Sequence, residues 1–270
     1  MLKTERLAEM FERARAEGRV AFMPFMTAGY PDMQTSIELV KAMVAGGADA
    51  IELGVPFSDP LADGPTIQRA SYQALQQGTT PRDAIDMVAS LRRAGVAVPL
   101  ILMGYCNTFL AKGEDRFISD AAAAGADGLI IVDLPPEESD GTLATCRKLG
   151  LDLIYLLAPT SDEGRVAEVL SRAGGFIYCV SVVGVTGARR ELAAELPDFL
   201  RRLRRKTDLP LAVGFGISKR EHVEALRGLA DAAIVASALI DIVESSPRQE
   251  RVDRVRDYVE VLTGRTEDMA

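Results

Sequence analysis

The sequence predicts one α/β domain over residues 1–270, a closed (βα)8 barrel preceded by an extra helix. Two observations carry this prediction. Amphipathic helices repeatedly end in a glycine-containing turn that is followed at once by a short, continuously apolar run. Eight such runs, separated by helices, occupy a chain of 270 residues, which is a usual size for a TIM barrel. An open, doubly wound sheet is the alternative that this pattern leaves open.

The strands follow from the apolar runs. Glycine after a helix supplies a left-handed turn, and apolar runs of this length are typical of parallel strands buried on both faces. The predicted strands span residues 20–26, 50–54, 98–103, 128–132, 153–157, 176–180, 210–215 and 232–236. The extra helix is predicted at residues 4–17. Capping-box patterns predict helix starts at residues 80–83 and 218–221.

The composition argues against several classes of protein. A net charge of −8 makes nucleic acid an improbable partner, because contacts to phosphates require clustered cations. No apolar run is long enough to span a membrane, and we expect no signal peptide. The three cysteines, Cys106, Cys146 and Cys179, form no metal or redox motif, so we expect a cytoplasmic protein.

An acidic residue interrupts the second predicted strand. Alternation places Ile51 and Leu53 on one face and Ala50 and Glu52 on the other. Because the larger apolar side chains should face the helices, Glu52 is predicted to point into the barrel. Burial without a cation raises the pKa of a carboxyl toward the range useful for acid–base catalysis. A structural glutamate that bonds neighbouring strands is the alternative.

Two more carboxylates follow in the next loop, which has no Lys, Arg or His. Asp63 precedes Gly64 and Pro65, near the carboxyl end of the strand where barrel active sites lie. Asp59 stands in a Ser-Asp-Pro sequence, where an aspartate commonly bonds its own backbone in a turn. The same role is open for Asp63, but its position also predicts an approach to the substrate of Glu52.

Glycines and helix starts after the seventh and eighth strands predict an anion site. Residues 214–218 read Gly-Phe-Gly-Ile-Ser, and Ser237 opens a helix after the last strand. These two loops commonly bind phosphate in TIM barrels through backbone N–H groups. Residues 184–187, Gly-Val-Thr-Gly, are a third candidate wall.

The missing residue types narrow the chemistry. His222 is the only histidine, which argues against a multi-histidine metal site, and we expect it on a helix surface. No lysine falls inside a predicted strand, so the sequence offers no amine for an aldolase mechanism that proceeds through a Schiff base. The residues therefore favour a phosphate-binding barrel that uses carboxylate acid–base catalysis without a metal, and they leave the substrate open.

The run from Glu52 to Gln68, Glu-Leu-Gly-Val-Pro-Phe-Ser-Asp-Pro-Leu-Ala-Asp-Gly-Pro-Thr-Ile-Gln, resembles the signature of tryptophan synthase α subunits. The resemblance extends to residues 24–31, 103–107, 132–138, 184–187 and 214–218 and spans essentially the whole chain. It implies cleavage of indole-3-glycerol phosphate to indole and glyceraldehyde 3-phosphate, a retro-aldol reaction that needs neither metal nor Schiff base. It also implies that Glu52 moves the protons and that Asp63 bonds the indole N–H.

The same resemblance implies binding residues and a partner. The phosphate contacts correspond to Gly187, Gly216, Ala236 and Ser237. The substrate pocket corresponds to Phe25, Met103, Tyr105, Leu156, Tyr178, Thr186 and Phe215. The family binds a β subunit, which carries pyridoxal phosphate, in an α2β2 heterotetramer, while this chain itself needs no cofactor. Contacts to that partner correspond to Pro56, Asp59 and Asn107. A free-standing lyase and a chain that acts mainly as an allosteric activator are the alternatives.

Overall fold

Eight parallel strands close into a barrel in chain order, and the last strand pairs with the first. The computed structural model describes residues 5–111, 113–180, 195–214 and 216–266. The strands are β1 Ala21–Thr27, β2 Ile51–Gly54, β3 Leu100–Gly104, β4 Gly128–Ile131, β5 Asp152–Leu157, β6 Ile177–Val180, β7 Leu211–Gly214 and β8 Ala232–Val235. Closure of the sheet confirms the predicted barrel, and the open-sheet alternative is wrong.

Helices precede, separate and follow the strands. They are α1 Arg6–Ala16, α2 Met33–Ala45, α3 Pro65–Gln76, α4 Pro81–Arg93, α5 Cys106–Leu110, α6 Glu114–Ala124, α7 Asp140–Leu149, α8 Glu163–Arg172, α9 Leu196–Arg204, α10 Arg220–Glu224, α11 Ser237–Ser245 and α12 Arg251–Thr263. The predicted extra helix is α1. The capping box before α4 is present, since Thr80 and Asp83 bond each other's backbone N–H groups.

Side chains of the strands alternate between the barrel interior and the outer helices. Ile51 and Leu53 belong to the apolar cluster between the barrel and the helices. Ala50 and Ile101 belong to the cluster inside the barrel. Glu52 pairs in register with Ile101 of β3, so its side chain lies on the interior side, as the alternation predicts.

The recurring aspartate before the strands joins the amino ends of neighbouring strands. Its carboxylate accepts a backbone N–H from the start of the preceding strand: Asp49 from Phe22 at 2.9 Å, Asp127 from Leu100 at 2.8 Å and Asp231 from Leu211 at 2.8 Å. This end of a TIM barrel contributes stability rather than catalysis. The repeated sequence pattern therefore has a structural explanation.

Helix α1 closes the same end of the barrel. Its apolar side chains Leu7, Met10, Phe11 and Ala14 pack into the interior cluster. Its arginines bind the three aspartates: Arg6 to Asp127 at 2.8 Å, Arg13 to Asp49 at 3.4 Å and Arg15 to Asp231 at 3.4 Å. The helix thus links the ends of β2, β4 and β8 and leaves the opposite end of the barrel for a binding site.

The prediction for His222 is wrong, because this residue is buried. Its Nδ1 accepts the backbone N–H of Ser218 at 3.3 Å. The predicted capping box at residues 218–221 is also wrong, since α10 begins at Arg220, and Lys219 at its N-cap makes no side-chain cap. The imidazole of His222 therefore accepts the Ser218 N–H, which the predicted capping box assigns to the Glu221 side chain.

In the described ranges, none of the helices has both the length and the apolar character needed to cross a membrane.

Candidate active site

The carboxyl group of Glu52 lies fully inside the barrel. The residue is 0% exposed, and neither Oε1 nor Oε2 has a hydrogen-bond partner among the described residues. Loss of hydration raises the pKa of this carboxyl to about 8, because a low-dielectric environment disfavours the charged form. At neutral pH, Glu52 is therefore a neutral acid with a proton to give.

Asp63 occupies a fixed turn above the carboxyl end of β2. Its backbone N–H donates to the carbonyl of Pro60 at 3.0 Å, and its own carbonyl accepts from the Gln68 side chain at 2.9 Å. Desolvation raises the pKa of Asp63 to about 6, against the lowering effect of a hydrogen bond with the Tyr105 side chain. Asp63 is consequently ionised at neutral pH, while Glu52 is not.

Tyr105, which directly follows β3, bonds the loop that carries Asp63. Its hydroxyl accepts the backbone N–H of Ala62 at 3.0 Å, and its ring stacks on Phe57 with centroids 5.2 Å apart. Burial raises the pKa of Tyr105 above its ordinary value, and the charge of Asp63 adds to this rise. The phenol therefore stays protonated beside the carboxylate.

A pocket opens at the carboxyl ends of β1 to β4. Four of the predicted site residues line it, namely Phe25, Asp63, Met103 and Tyr105. Thr27, Gly54 and Gly104 are the other strand residues that line it, and Val132 lines it directly after β4. The structure thus brings Asp63 together with three of the predicted pocket side chains.

The opposite side of the barrel interior contains Leu156 and Tyr178. Leu156 is half-buried and packs on the interior cluster, to which Tyr178 itself belongs. Burial raises the pKa of Tyr178 well above its ordinary value, and the charges of Glu52 and Asp63 raise it further. Tyr178 therefore lies within electrostatic range of both carboxyl groups.

The ends of β7 and β8 carry the predicted anion-binding residues. Gly216 is exposed and has a left-handed backbone, with φ of 77°. Ala236 is the N-cap of α11, and its side chain makes no capping hydrogen bond. Ala236 is half-exposed, and Ser237, the first residue of the helix, is exposed. Backbone N–H groups at such a helix start attract anions. Thr186, Gly187 and Phe215 lie outside the described residues.

Three residues were predicted to contact a partner at the barrel rim. Asp59 and Asn107 are exposed, whereas Pro56 is buried within the chain. Pro56 lies two residues beyond the end of β2, after the buried Val55, so it offers a partner little exposed surface. Two large apolar side chains next to the exposed pair are also exposed, Leu61 at 91% and Leu110 at 56%.

Thr27 is a polar pocket residue that the sequence patterns did not single out. Thr27 lines the pocket and is 2% exposed, yet its hydroxyl has no hydrogen-bond partner among the described residues. The available signal was its spacing, since Thr27 follows the pocket residue Phe25 by two positions and so shares its face of β1. Within the described ranges, no group of His, Cys, Asp or Glu side chains has an arrangement that fits a metal ion.

These features define a TIM barrel with two carboxyl groups of unequal, raised pKa at the end where barrel enzymes bind substrate. The sequence profile described as "Tryptophan synthase alpha chain" matches residues 11–269. A tryptophan synthase alpha chain of Roseiflexus sp. (strain RS-1) is 54% identical over 259 residues, covering 96% of this chain and 99% of that protein.

Solved structures agree with this match. A tryptophan synthase structure from Mycobacterium tuberculosis superposes with a TM-score of 0.89 at 37% identity, covering 96% of this chain and 97% of that one. Tryptophan synthase subunit alpha from Legionella pneumophila gives a TM-score of 0.88 at 35% identity, with the same coverage. The chain belongs to the tryptophan synthase alpha chain family, a family of lyase-type enzymes.

Proposed function

We propose that this chain cleaves indole-3-glycerol phosphate to indole and glyceraldehyde 3-phosphate. The observation that carries the proposal is the Glu52 carboxyl, which is fully buried, has no partner among the described residues and has a pKa of about 8. A buried carboxyl without a partner destabilises the fold, and perturbed titrating groups concentrate at functional sites.

The reaction consists of two proton transfers around one bond cleavage. Glu52 donates its proton to C3 of the indole ring, which leaves the ring electron-deficient. The resulting carboxylate removes the proton from the hydroxyl on the adjacent chain carbon. The bond between C3 and that carbon then breaks, its electron pair returns to the ring, and the aldehyde leaves. Glu52 ends the cycle protonated, so no further proton donor is required.

Asp63 complements this cycle by keeping its charge. With a pKa of about 6, it is ionised at neutral pH and accepts the indole N–H, whose acidity rises when C3 is protonated. Two carboxyl groups in unlike environments thus divide the acid and the electrostatic roles. We assign the indole contacts to Phe25, Met103, Tyr105, Leu156 and Tyr178, with Thr186 and Phe215.

The phosphate is assigned to the ends of β7 and β8. The left-handed backbone of Gly216 and the uncapped start of α11 at Ala236 and Ser237 supply N–H donors without a cation. Gly187 is the fourth proposed contact. Ala236 retains a backbone donor, so its methyl group does not remove the anion site.

We further propose that the chain works in the cytoplasm with a β subunit in an α2β2 heterotetramer. The β subunit holds pyridoxal phosphate and joins the released indole to serine, while this chain carries no cofactor. The rim supports this assignment, because Asp59 and Leu61 in the loop after β2 and Asn107 and Leu110 in α5 after β3 are all exposed. Apolar side chains in such a setting are typical of an interaction site.

The test is indole release by the purified chain, with and without its β subunit. The Glu52→Gln variant should lose about 10²–10⁴-fold of the rate, the range that general acid–base catalysis supplies. Glu38→Gln, a change at a half-exposed glutamate paired with Lys41, is the matched control and should keep the wild-type rate. A well-folded Glu52→Gln protein that releases indole at the wild-type rate would falsify the proposal.

A further inference from the structure

Thr27 holds a polar atom in a position that the packing of the chain does not explain. Its Oγ1 is buried and has no hydrogen-bond partner in the described ranges. A buried, unpaired hydroxyl destabilises the fold by the loss of its hydration. Valine has nearly the same shape and the same preference for strands, so packing alone would be better served without the hydroxyl.

The position of Thr27 relative to Glu52 shows where its hydroxyl is directed. Phe25 pairs in register with Glu52, and Thr27 pairs with Gly54. Paired residues of parallel strands share a face, so Thr27 lies on the interior side, two residues nearer the mouth than Glu52. Two residues of strand correspond to about 6.6 Å. The Thr27 hydroxyl is therefore displaced outward from the Glu52 carboxyl.

The ring of Phe25 packs against the backbone of Gly54, which has no side chain. A Cβ at Gly54 would overlap the ring of Phe25, with 2.8 Å to its Cε2. Gly54 and Thr27 line the same pocket as Asp63. A ligand in this pocket thus meets one unpaired hydroxyl between the buried carboxyl and the rim.

The proposed substrate offers one polar group for that position. Its indole N–H is assigned to Asp63, and the hydroxyl next to the ring gives its proton to Glu52. The second hydroxyl, on the middle carbon of the chain, lies farther toward the phosphate and remains intact in the aldehyde product. We propose that the Thr27 hydroxyl binds this second hydroxyl and so fixes the chain for cleavage; the inference rests on the proposed lyase function.

The experiment compares Thr27→Val with Thr27→Ser in the full-length chain with its β subunit. Thr27→Val should lower kcat/KM for indole-3-glycerol phosphate about tenfold, the effect of one neutral hydrogen bond. Thr27→Ser should stay within about threefold of wild type, because it keeps the hydroxyl. Thermal unfolding of Thr27→Val should occur at a higher temperature than that of wild type, since the unpaired group is gone.

A second ligand separates hydrogen bonding from packing. The 3-(indol-3-yl)propyl phosphate ester keeps the ring and the phosphate but lacks both hydroxyls. Its dissociation constant should be the same for wild type and Thr27→Val. Equal loss for this ester and for the substrate, full kcat/KM in Thr27→Val, or failure of Thr27→Ser to restore activity would each overturn the assignment. A wild-type chain that releases no indole would instead overturn the proposed function itself.

Discussion

The ring of Tyr178 packs on the backbone of Gly214, and only the lack of a side chain at position 214 leaves room for it. A Cβ at Gly214 would overlap the Tyr178 hydroxyl and lie 2.5 Å from Cε1 and 2.6 Å from Cζ. The two residues come from neighbouring strands, β6 and β7. Ionisation of Glu52 or Asp63 raises the pKa of Tyr178, so this ring lies near the candidate site.

The first prediction is that Gly214→Ala pushes the Tyr178 ring into the pocket. Indole release should fall by up to about 100-fold, the effect of a displacement near 1 Å at a reacting centre. Shortening the neighbour in a Gly214→Ala, Tyr178→Leu double variant should recover part of the loss. Gly141→Ala, where an added Cβ meets nothing within 4 Å, is the control.

A double-mutant cycle measures this coupling. If the losses of the two single variants simply multiply in the double variant, the contact between the two residues does not govern the site.

The second prediction concerns pH. Asp63 must be ionised and Glu52 protonated at the start of the reaction, and their pKa values are about 6 and about 8. A profile of kcat/KM against pH should therefore rise through about 6 and fall through about 8. A rate that keeps rising above both values would show that the ionised form of Glu52 starts the reaction.

The third prediction identifies the group behind the acidic limb. Tyr105→Phe removes the hydrogen bond that lowers the pKa of Asp63. The pKa should rise, so the acidic limb should move to higher pH, while the basic limb stays near 8. Tyr155→Phe, which removes a buried hydroxyl bonded to Ser139, is the matched control and should move neither limb. An unmoved acidic limb in Tyr105→Phe would assign that limb to another group.

The fourth prediction separates stability from activity. The Asp127 side chain is 0% exposed and binds Arg6, Arg92 and the N–H of Leu100. Asp127→Ala leaves these donors unpaired and should lower the free energy of unfolding by about 3–5 kcal/mol. Below the unfolding transition, kcat should not change, because Asp127 bonds the amino end of β3, whereas the candidate pocket opens at the carboxyl ends of the strands.

Chemical denaturation measures this effect, and Asp86→Ala is the control. Asp86 also pairs with an arginine, Arg82, but both side chains are more than half exposed. Exposed pairs of this kind contribute little to stability. Equal denaturation midpoints for Asp127→Ala and Asp86→Ala would contradict the stabilising role of the Asp127 contacts at the amino end of the barrel.

The fifth prediction tests the rim. Leu61 is 91% exposed and lies two residues from Asp59 in the loop that carries Asp63. Leu61→Ser should weaken binding of the β subunit and leave the rate of the isolated chain unchanged. Tyr72→Ser is the control, since Tyr72 is 63% exposed but lies about two turns down the outer helix α3. Titration calorimetry with the β subunit compares the two variants.

Residues whose position depends on local periodicity were predictable from the sequence. The eight strands follow from apolar runs, and the interior position of Glu52 follows from its alternation with Ile51 and Leu53. The period of a strand alone determines which face a side chain occupies. The raised pKa of Glu52 then follows from burial without a cation.

Residues whose position depends on distant parts of the chain were not predictable in the same way. His222 is buried with its imidazole accepting the backbone N–H of Ser218. Helix propensity does not encode this contact. Burial of Pro56 goes with the docking of its loop on α3, where the Ser71 hydroxyl bonds the backbone N–H and carbonyl of the next residue, Phe57. The unpaired hydroxyl of Thr27 becomes evident only when its neighbours are known, because threonine in a strand is otherwise ordinary.

The bond between Arg15 and Asp231 joins residues that are 216 positions apart. During synthesis at about 5–20 residues per second, α1 leaves the ribosome roughly 10–40 s before that aspartate exists. Throughout this interval, Leu7, Met10 and Phe11 have no barrel to cover them. The nascent chain therefore carries an exposed apolar helix face during this interval, and transiently exposed apolar surface of this kind makes folding intermediates prone to aggregation.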